Sequence, residues 1–272
     1  MNVIFFGAHP DDCEFCAGGT AVKFLRAGHR VKFVSITNGE AGHMSVKPAR
    51  LAAIRRREAR ESAAVLGVDW EVLGYRDGRL TPSVELRERL VAVIRAWRAD
   101  LVVCHRPNDY HPDHRAAGQA VQDTAYMALV PLFNPRSPAL PDNPVYLYFW
   151  DRFRSPQPFR PDVLVPIDGE LGLKIEALHR MKSQMYEWLP WTMHALDQVP
   201  GGEQQRKQFI KEFYLRRHPG DPYRQELVSL YGPQEARNIE FYEAFQLCEY
   251  GRQLTPLELH ALFPGLPRRV DL

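Results

Sequence analysis

No run of apolar residues in this 272-residue chain approaches the ~20 needed to cross a bilayer, so no membrane span is expected. The N-terminus has neither the basic region nor the long apolar core of a signal peptide. Asp11 and Asp12 interrupt it early, and the chain reads as cytoplasmic. Cysteine is sparse: Cys13, Cys16, Cys104 and Cys248. Cys13 and Cys16 form a C-x-x-C, but no second pair completes a four-thiolate zinc site. A redox role would leave the neighbouring His9 and Asp12 without a task, so these cysteines read as small reduced side chains. Lys and Arg are not clustered among aromatics, and the net charge is only +2, which excludes a nucleic-acid partner. No G-x-G-x-x-G follows the first apolar run. Two carboxylates stand where a pyrophosphate would lie, which excludes a dinucleotide. Internal repeats and low-complexity tracts are also missing.

What is present is ordinary globular composition, 45% hydrophobic and 25% charged, in a length that suits one large domain. Residues 2–8 read as a buried strand, and Gly18-Gly19-Thr20 opens a helix to about Ala27. Arg30–Thr37 alternates as a second strand, 49–66 is a helix stopped by Gly67, and Asp69–Gly74 is a third strand. An amphipathic helix over 83–98 precedes a fourth strand, Leu101–His105, and a helix from about His114 to Val130. Strand and helix in alternation imply parallel strands with helices on both faces. The expected fold is therefore α/β, a Rossmann-like three-layer arrangement with a mostly parallel sheet in the order 3-2-1-4-5. Val145–Phe149 and Val163–Val165 are short strand candidates, and helices are expected over 170–187, 204–217, 235–248 and 256–262. Residues 1–190 read as the Rossmann-like domain. Residues 191–272 read as its C-terminal helical extension, a cap or an oligomer surface.

The loop after the first strand is Ala8-His9-Pro10-Asp11-Asp12. Adjacent carboxylates repel unless a proton or cation lies between them, and Asp and His both ligate divalent metals. The loop after the fourth strand is Pro107-Asn108-Asp109-Tyr110-His111-Pro112-Asp113-His114, a second histidine–carboxylate cluster. In the order 3-2-1-4-5 these two strands are neighbours, and their loops face each other at the point where the order reverses. Either cluster alone is weak. Two on facing loops point to a metal site.

These residues resemble the zinc-dependent de-N-acetylases of the N-acetylglucosaminyl-phosphatidylinositol type, also called LmbE-like proteins. The resemblance rests on Ala8–Asp12 and on His111-Pro112-Asp113-His114. It extends over roughly residues 1–190 through Thr37–Gly42, Arg55 to Glu58, Gly74–Gly78 and Lys174 to Gln184. It implies a Zn2+ (Fe2+ being a possible substitute) held by His9, Asp12 and His114, with Asp11 as the base that activates the zinc-bound water. By the same resemblance His111 would be protonated and stabilise the oxyanion or protonate the leaving amine. Asp113 would orient His111, or alternatively His114. Arg55 and Asp77 match positions that contact sugar hydroxyls, and Tyr110 has two readings, reaching the oxyanion or packing. The implied substrate is a small N-acetylated sugar of the N-acetylglucosamine type, and a homo-oligomer is a weaker implication. Two alternatives stay open: a non-catalytic sugar-binding or regulatory protein on the same fold, and an amidase acting on a non-sugar amide.

Overall fold

The structure is a computed structural model, described here for residues 1–215 and 223–267. Seven strands form one sheet in the order β3-β2-β1-β4-β5-β7-β6. Strands β1 (Asn2–Gly7), β2 (Arg30–Thr37), β3 (Asp69–Tyr75), β4 (Leu101–Cys104) and β5 (Val145–Phe149) run parallel to their neighbours. The expected order 3-2-1-4-5 is thus observed. The central strand β1 is buried on both faces, as strands covered by helices on both sides must be. Val3 and Phe5 point into one core with α1 (Asp12–Arg26) and the end of α2 (Pro48–Leu66). Ile4 and Phe6 point into the other with α3 (Val84–Trp97) and α4 (Pro112–Gln122). A period of two along β1 therefore feeds two separate helix layers.

Helix α3 starts on Ser83, whose hydroxyl accepts from Leu86 N, and helix α2 ends at Gly67 in a left-handed turn. Short α5 (Thr124–Met127) follows α4. After β5 the chain makes β6 (Val163–Pro166) and α6 (Leu171–Arg180), then a π-helical turn over Gln184–Trp188 and α7 (Leu189–Thr192). The helix expected over 204–217 is observed as α8 (Glu203–Phe209) and a π-helical stretch to Leu215; its last two positions lie outside the described residues. Short α9 (Arg224–Tyr231) and α10 (Pro233–Ala236) come next.

The C-terminal segment differs from the expected helical extension. Residues read as a helix over 235–248 form strand β7 (Tyr242–Gly251), which inserts between β5 and β6 and is antiparallel to both. Tyr242, Phe245 and Cys248 recur at a helical spacing of three, so local pattern favours a helix. The open edges of β5 and β6 decide otherwise, because unpaired strand edges need partners. Helix α11 (Pro256–Leu262) closes the chain on a capping box of Thr255 and Glu258. Among the described residues no helix is long and apolar enough to cross a membrane.

A buried ion pair ties this late strand to the first helix. Glu243 of β7 accepts from the amides of Gly19 (2.9 Å) and Thr20 (2.7 Å) in α1, and from Lys174 Nζ of α6 at 2.6 Å. Lys174 Nζ also donates to Phe15 O at 2.6 Å. Breaking a buried pair by removing one partner leaves an uncompensated charge. Lys174→Met is expected to cost about 3–5 kcal/mol of stability, measured as a fall in the denaturant midpoint at unchanged slope. A loss below ~1 kcal/mol would show that solvent reaches the pair.

Candidate metal centre

Four loops at the carboxyl ends of β1, β2, β3 and β4 converge. His9 lies just beyond β1 and Asp12 begins α1; Asp77 follows β3, His105 follows β4, and His111 and His114 open α4. Gly118 lets α4 come this close, since a Cβ there would lie 2.7 Å from the carbonyl oxygens of His105 and Arg106. Three overlapping groups place ligand atoms within 4.8 Å of one another: His9, His111 and His114; Asp12, His105 and His114; and His9, Asp77 and Asp113.

Hydrogen bonding assigns the free lone pairs. His9 Nε2 lies 3.2 Å from Asp77 Oδ1 and 3.4 Å from Asp113 Oδ2, close in distance though off the line of a good hydrogen bond. Its Nδ1 therefore faces the cavity. His114 Nδ1 sits 3.2 Å from Asp109 Oδ1, which leaves Nε2 as the free nitrogen. Asp12 Oδ2 accepts from His9 N at 2.7 Å and lies 3.1 Å from His105 Nε2, so Oδ1 is the less engaged oxygen. His9 Nδ1 and His114 Nε2 are 3.2 Å apart; each lies 3.6 and 3.5 Å, respectively, from an oxygen of Asp12. A tetrahedral zinc with bonds of about 2.0–2.2 Å sets its ligand atoms roughly 3.3–3.6 Å apart. The donor set and its spacing thus fit such an ion. Carboxylates stand behind His9 and His114, in the position that outer partners of metal-bound imidazoles take.

The electrostatics express the same crowding. Burial pulls His9 down, but the nearby carboxylates of Asp113, Asp12 and Asp77 outweigh it and hold the imidazole well above its ordinary range. Burial likewise opposes the charged form of Asp12, and His114 and His105 reverse this and hold the carboxyl well below the usual range. Asp77 is pushed down to about 2, where His9 overcomes the effect of burial.

Asp11 is set apart from this group. Its Oδ1 accepts from Arg55 Nη2 at 2.9 Å, and the same nitrogen donates to Pro10 O at 2.8 Å. Burial pushes Asp11 up to about 6, Arg55 pulls it back, and Asp12 pushes it further up. Arg55 needs Gly39 beside it: a Cβ there would lie 2.7 Å from Nη1, and Gly39 has a φ of +67° that L side chains rarely adopt. Arg55 is only 3% exposed. Its Nη2 is thereby engaged by Asp11 and the loop of Pro10. Asp77 is similarly committed, with Oδ2 accepting from Ala41 N at 3.0 Å and Oδ1 beside His9.

His111 caps α4, its Nδ1 accepting from Asp113 N at 3.2 Å. A neutral imidazole bonded in this way carries its proton on Nε2, as a donor and not a ligand. Burial, then the charges of His9 and His114, lower His111; Asp113 raises it with less weight. The expected orientation of His111 by the Asp113 side chain is not what the structure places. That carboxylate accepts from Gly78 N (2.7 Å) and Leu80 N (3.1 Å) and faces His9, with no ring bond to His111 or His114. Tyr110 is 71% exposed, its ring edge-on to His111 and His114 and tilted against Phe153.

Two residues of the site went unassigned in the sequence. His105 stacks on His114 with centroids 4.1 Å apart and meets Asp12, and Asp109 orients His114. Their position supplied a signal, since His105 directly follows the strand at the switch point and Asp109 stands in its loop. Cys13 and Cys16 are free thiols that burial pushes well up, unlike the low-pKa thiolate of a redox motif.

Glu14 is buried beneath the loop, with Ser62 Oγ 3.3 Å from its Oε1, and burial pushes it up to about 8. An unfolded Glu ionises near ~4.3, so the stability from the neutral folded carboxyl is full below that pH and is lost as pH rises through about 8. Glu14→Gln should therefore gain thermal stability over the natural chain as pH is raised from about 5 to about 9. A difference in Tm that stays flat over this range would show that Glu14 is ionised in the fold.

Residues 4–125 match the family described as GlcNAc-PI de-N-acetylase, PIG-L. Diacetylchitobiose deacetylase of Thermococcus kodakarensis is 30% identical over 198 residues, 70% of this chain and 73% of that protein. The chain belongs to the PIG-L family. A probable N-acetyl-alpha-D-glucosaminyl L-malate deacetylase 2 of Bacillus anthracis is 32% identical over 140 residues, 48% of this chain and 61% of that relative. Among solved structures, N,N'-diacetylchitobiose deacetylase from Pyrococcus horikoshii superposes with a TM-score of 0.67 at 26% identity, covering 90% of this chain and 83% of that one. A 4-carboxy-2-hydroxymuconate hydratase from Pseudomonas putida superposes at a TM-score of 0.69 with 21% identity, over 93% and 97% of the two chains. This last likeness is one of fold alone, and fold does not fix the reaction.

Proposed function

We propose that this PIG-L family protein is a metal-dependent deacetylase that hydrolyses the acetamide of an N-acetylglucosamine-type sugar. The observation that carries the reading is the convergence of His9 Nδ1, Asp12 and His114 Nε2, with the carboxylate of Asp11 held beside them but turned to Arg55. Two imidazoles and one carboxylate suit zinc, with ferrous iron as the substitute. A divalent cation held there supplies a Lewis acid for the amide carbonyl and makes water acidic enough to ionise near neutrality.

The remaining chemistry belongs to the chain. Asp11, pushed up to about 6 by burial, takes a proton from the attacking water as its oxygen bonds to the acetamide carbon. Arg55 fixes the carboxylate for that task and prevents it from swinging into the ligand set. His111 presents Nε2–H to the oxygen on which negative charge develops. The carbon–nitrogen bond then breaks, and the proton held on Asp11 passes to the departing nitrogen. Acetate and a free amine are the products. Asp109, Asp77 and Asp113 act through the histidines they orient. Tyr110 forms the open side of the site, where the sugar enters.

The test is acetate release from N-acetylglucosamine and its simple glycosides by protein loaded with zinc or ferrous iron. Stoichiometric acetate and primary amine are expected, with loss of activity on chelation and recovery on metal addition. Chelator-treated protein that remains fully active would refute the metal-dependent reading.

A further inference from the structure

Residues 183–196 sit on the rim of this site and carry a group of exposed apolar side chains. Gln184–Trp188 is π-helical, a rare form that is frequent at functional sites. Two bonds fasten it to the loop after β2: Gln184 Nε2 donates to Gly42 O at 3.2 Å, and His43 Nε2 lies 2.8 Å from Glu187 Oε2. The same loop reaches the metal centre through Ala41 N and Asp77. Gly42 is the spacer between the two. A Cβ there would lie 3.2 Å from Arg55 Nη1 and 3.3 Å from Trp188 Nε1. Trp188 is thus one residue's width from the arginine that holds Asp11.

Trp191 stacks on Trp188, with centroids 5.2 Å apart and planes at 17°, and is itself 45% exposed. Met44 in the loop and Met193 beyond α7 are also exposed. Grouped exposed apolar side chains at the edge of a polar cleft mark a binding surface. Resting on the deacetylase reading, we propose that the stacked Trp188 and Trp191 seat an apolar or aromatic aglycone. Among glycosides of the N-acetylated sugar, those with an apolar or aromatic aglycone are then preferred. Sugar chemistry agrees with this placement. The aglycone is joined to C1, the carbon next to the one that bears the acetamide, so it must leave the metal centre past an immediately adjacent wall.

The test compares phenyl and methyl glycosides of N-acetylglucosamine with the metal-loaded full chain. The phenyl glycoside is expected to have about tenfold higher kcat/KM, mostly through KM. That ratio should fall toward one in Trp191→Ala and be largely kept in Trp191→Phe. Phenyl glucoside, which has no acetamide, should quench tryptophan fluorescence saturably in the natural chain and not in Trp191→Ala. A ratio near one in the natural chain, or a ratio that survives Trp191→Ala, overturns the proposal. So does a lowered sedimentation coefficient of Trp191→Ala with the ratio intact, which assigns the patch to contact between copies. Turnover of neither glycoside defeats the deacetylase reading and this inference with it, a result distinct from equal turnover of both.

Discussion

Asp11→Asn is expected to lower kcat by about 10²–10⁴-fold, the usual contribution of a positioned general base, while the protein still binds its metal. The amide keeps the shape of the carboxylate, and its oxygen can still accept from Arg55, so the loop should hold its form. What is lost is the capacity to take a proton. KM should change little, because the loss falls on an interaction made as the bond forms. The measurement pairs steady-state kinetics with metal content on the same preparation. Turnover within a few-fold of the natural chain, at full metal occupancy, would move the role of base to another residue. Loss of metal together with activity would instead place Asp11 among the ligands.

His114→Ala should act at the other pole of the site. The natural chain is expected to hold about one divalent ion, and the variant to bind it more than ~100-fold more weakly, since even an outer partner of a ligand is worth about 10–100-fold. Activity should vanish at metal concentrations that saturate the natural chain. Asp109→Ala gives the graded comparison. Its carboxylate touches His114 Nδ1 at 3.2 Å, so metal affinity should fall by about 10–100-fold and excess metal should restore turnover. Full stoichiometric binding by His114→Ala would exclude this residue as a ligand. Full affinity in Asp109→Ala would mean that α4 alone aims the imidazole.

Much of this site could be read from residue order. His-Pro-Asp occurs twice, each time after a strand that alternation of strand and helix makes parallel, and the switch-point rule then brings both copies together. The strands themselves were plain because β1 and β4 are apolar runs bounded by turn residues and the first half of β2 alternates. The partners of Arg55 were not legible. A guanidinium on an amphipathic helix looks solvated until the packing of α2 buries it against Asp11. Nor was the commitment of Asp113 to Gly78 and Leu80, since those amides come from a loop 33 and 35 residues earlier in the chain. Strand β7 was missed for a related reason. Its conformation is imposed by the edges of β5 and β6, and no local periodicity records a partner about 100 residues upstream.

The place of β7 also orders events during synthesis. The loops that bring His9, Asp12, His105 and His114 together, and the strands that carry them, belong to the first 114 residues. A nascent chain can pair β1 through β5 as each emerges. Strand β6 then has to wait: its neighbour in the sheet is not β5 but β7, which ends at Gly251. Until that residue has left the ribosome, β5 and β6 keep open edges, the kind of surface on which unfinished chains adhere to one another. Glu243 arrives with β7 and meets Lys174, which lacks this counterion from the time α6 is made. Completion of the sheet and neutralisation of that lysine are therefore one late event, and chaperone dependence should be concentrated in the interval between the emergence of β6 and that of β7.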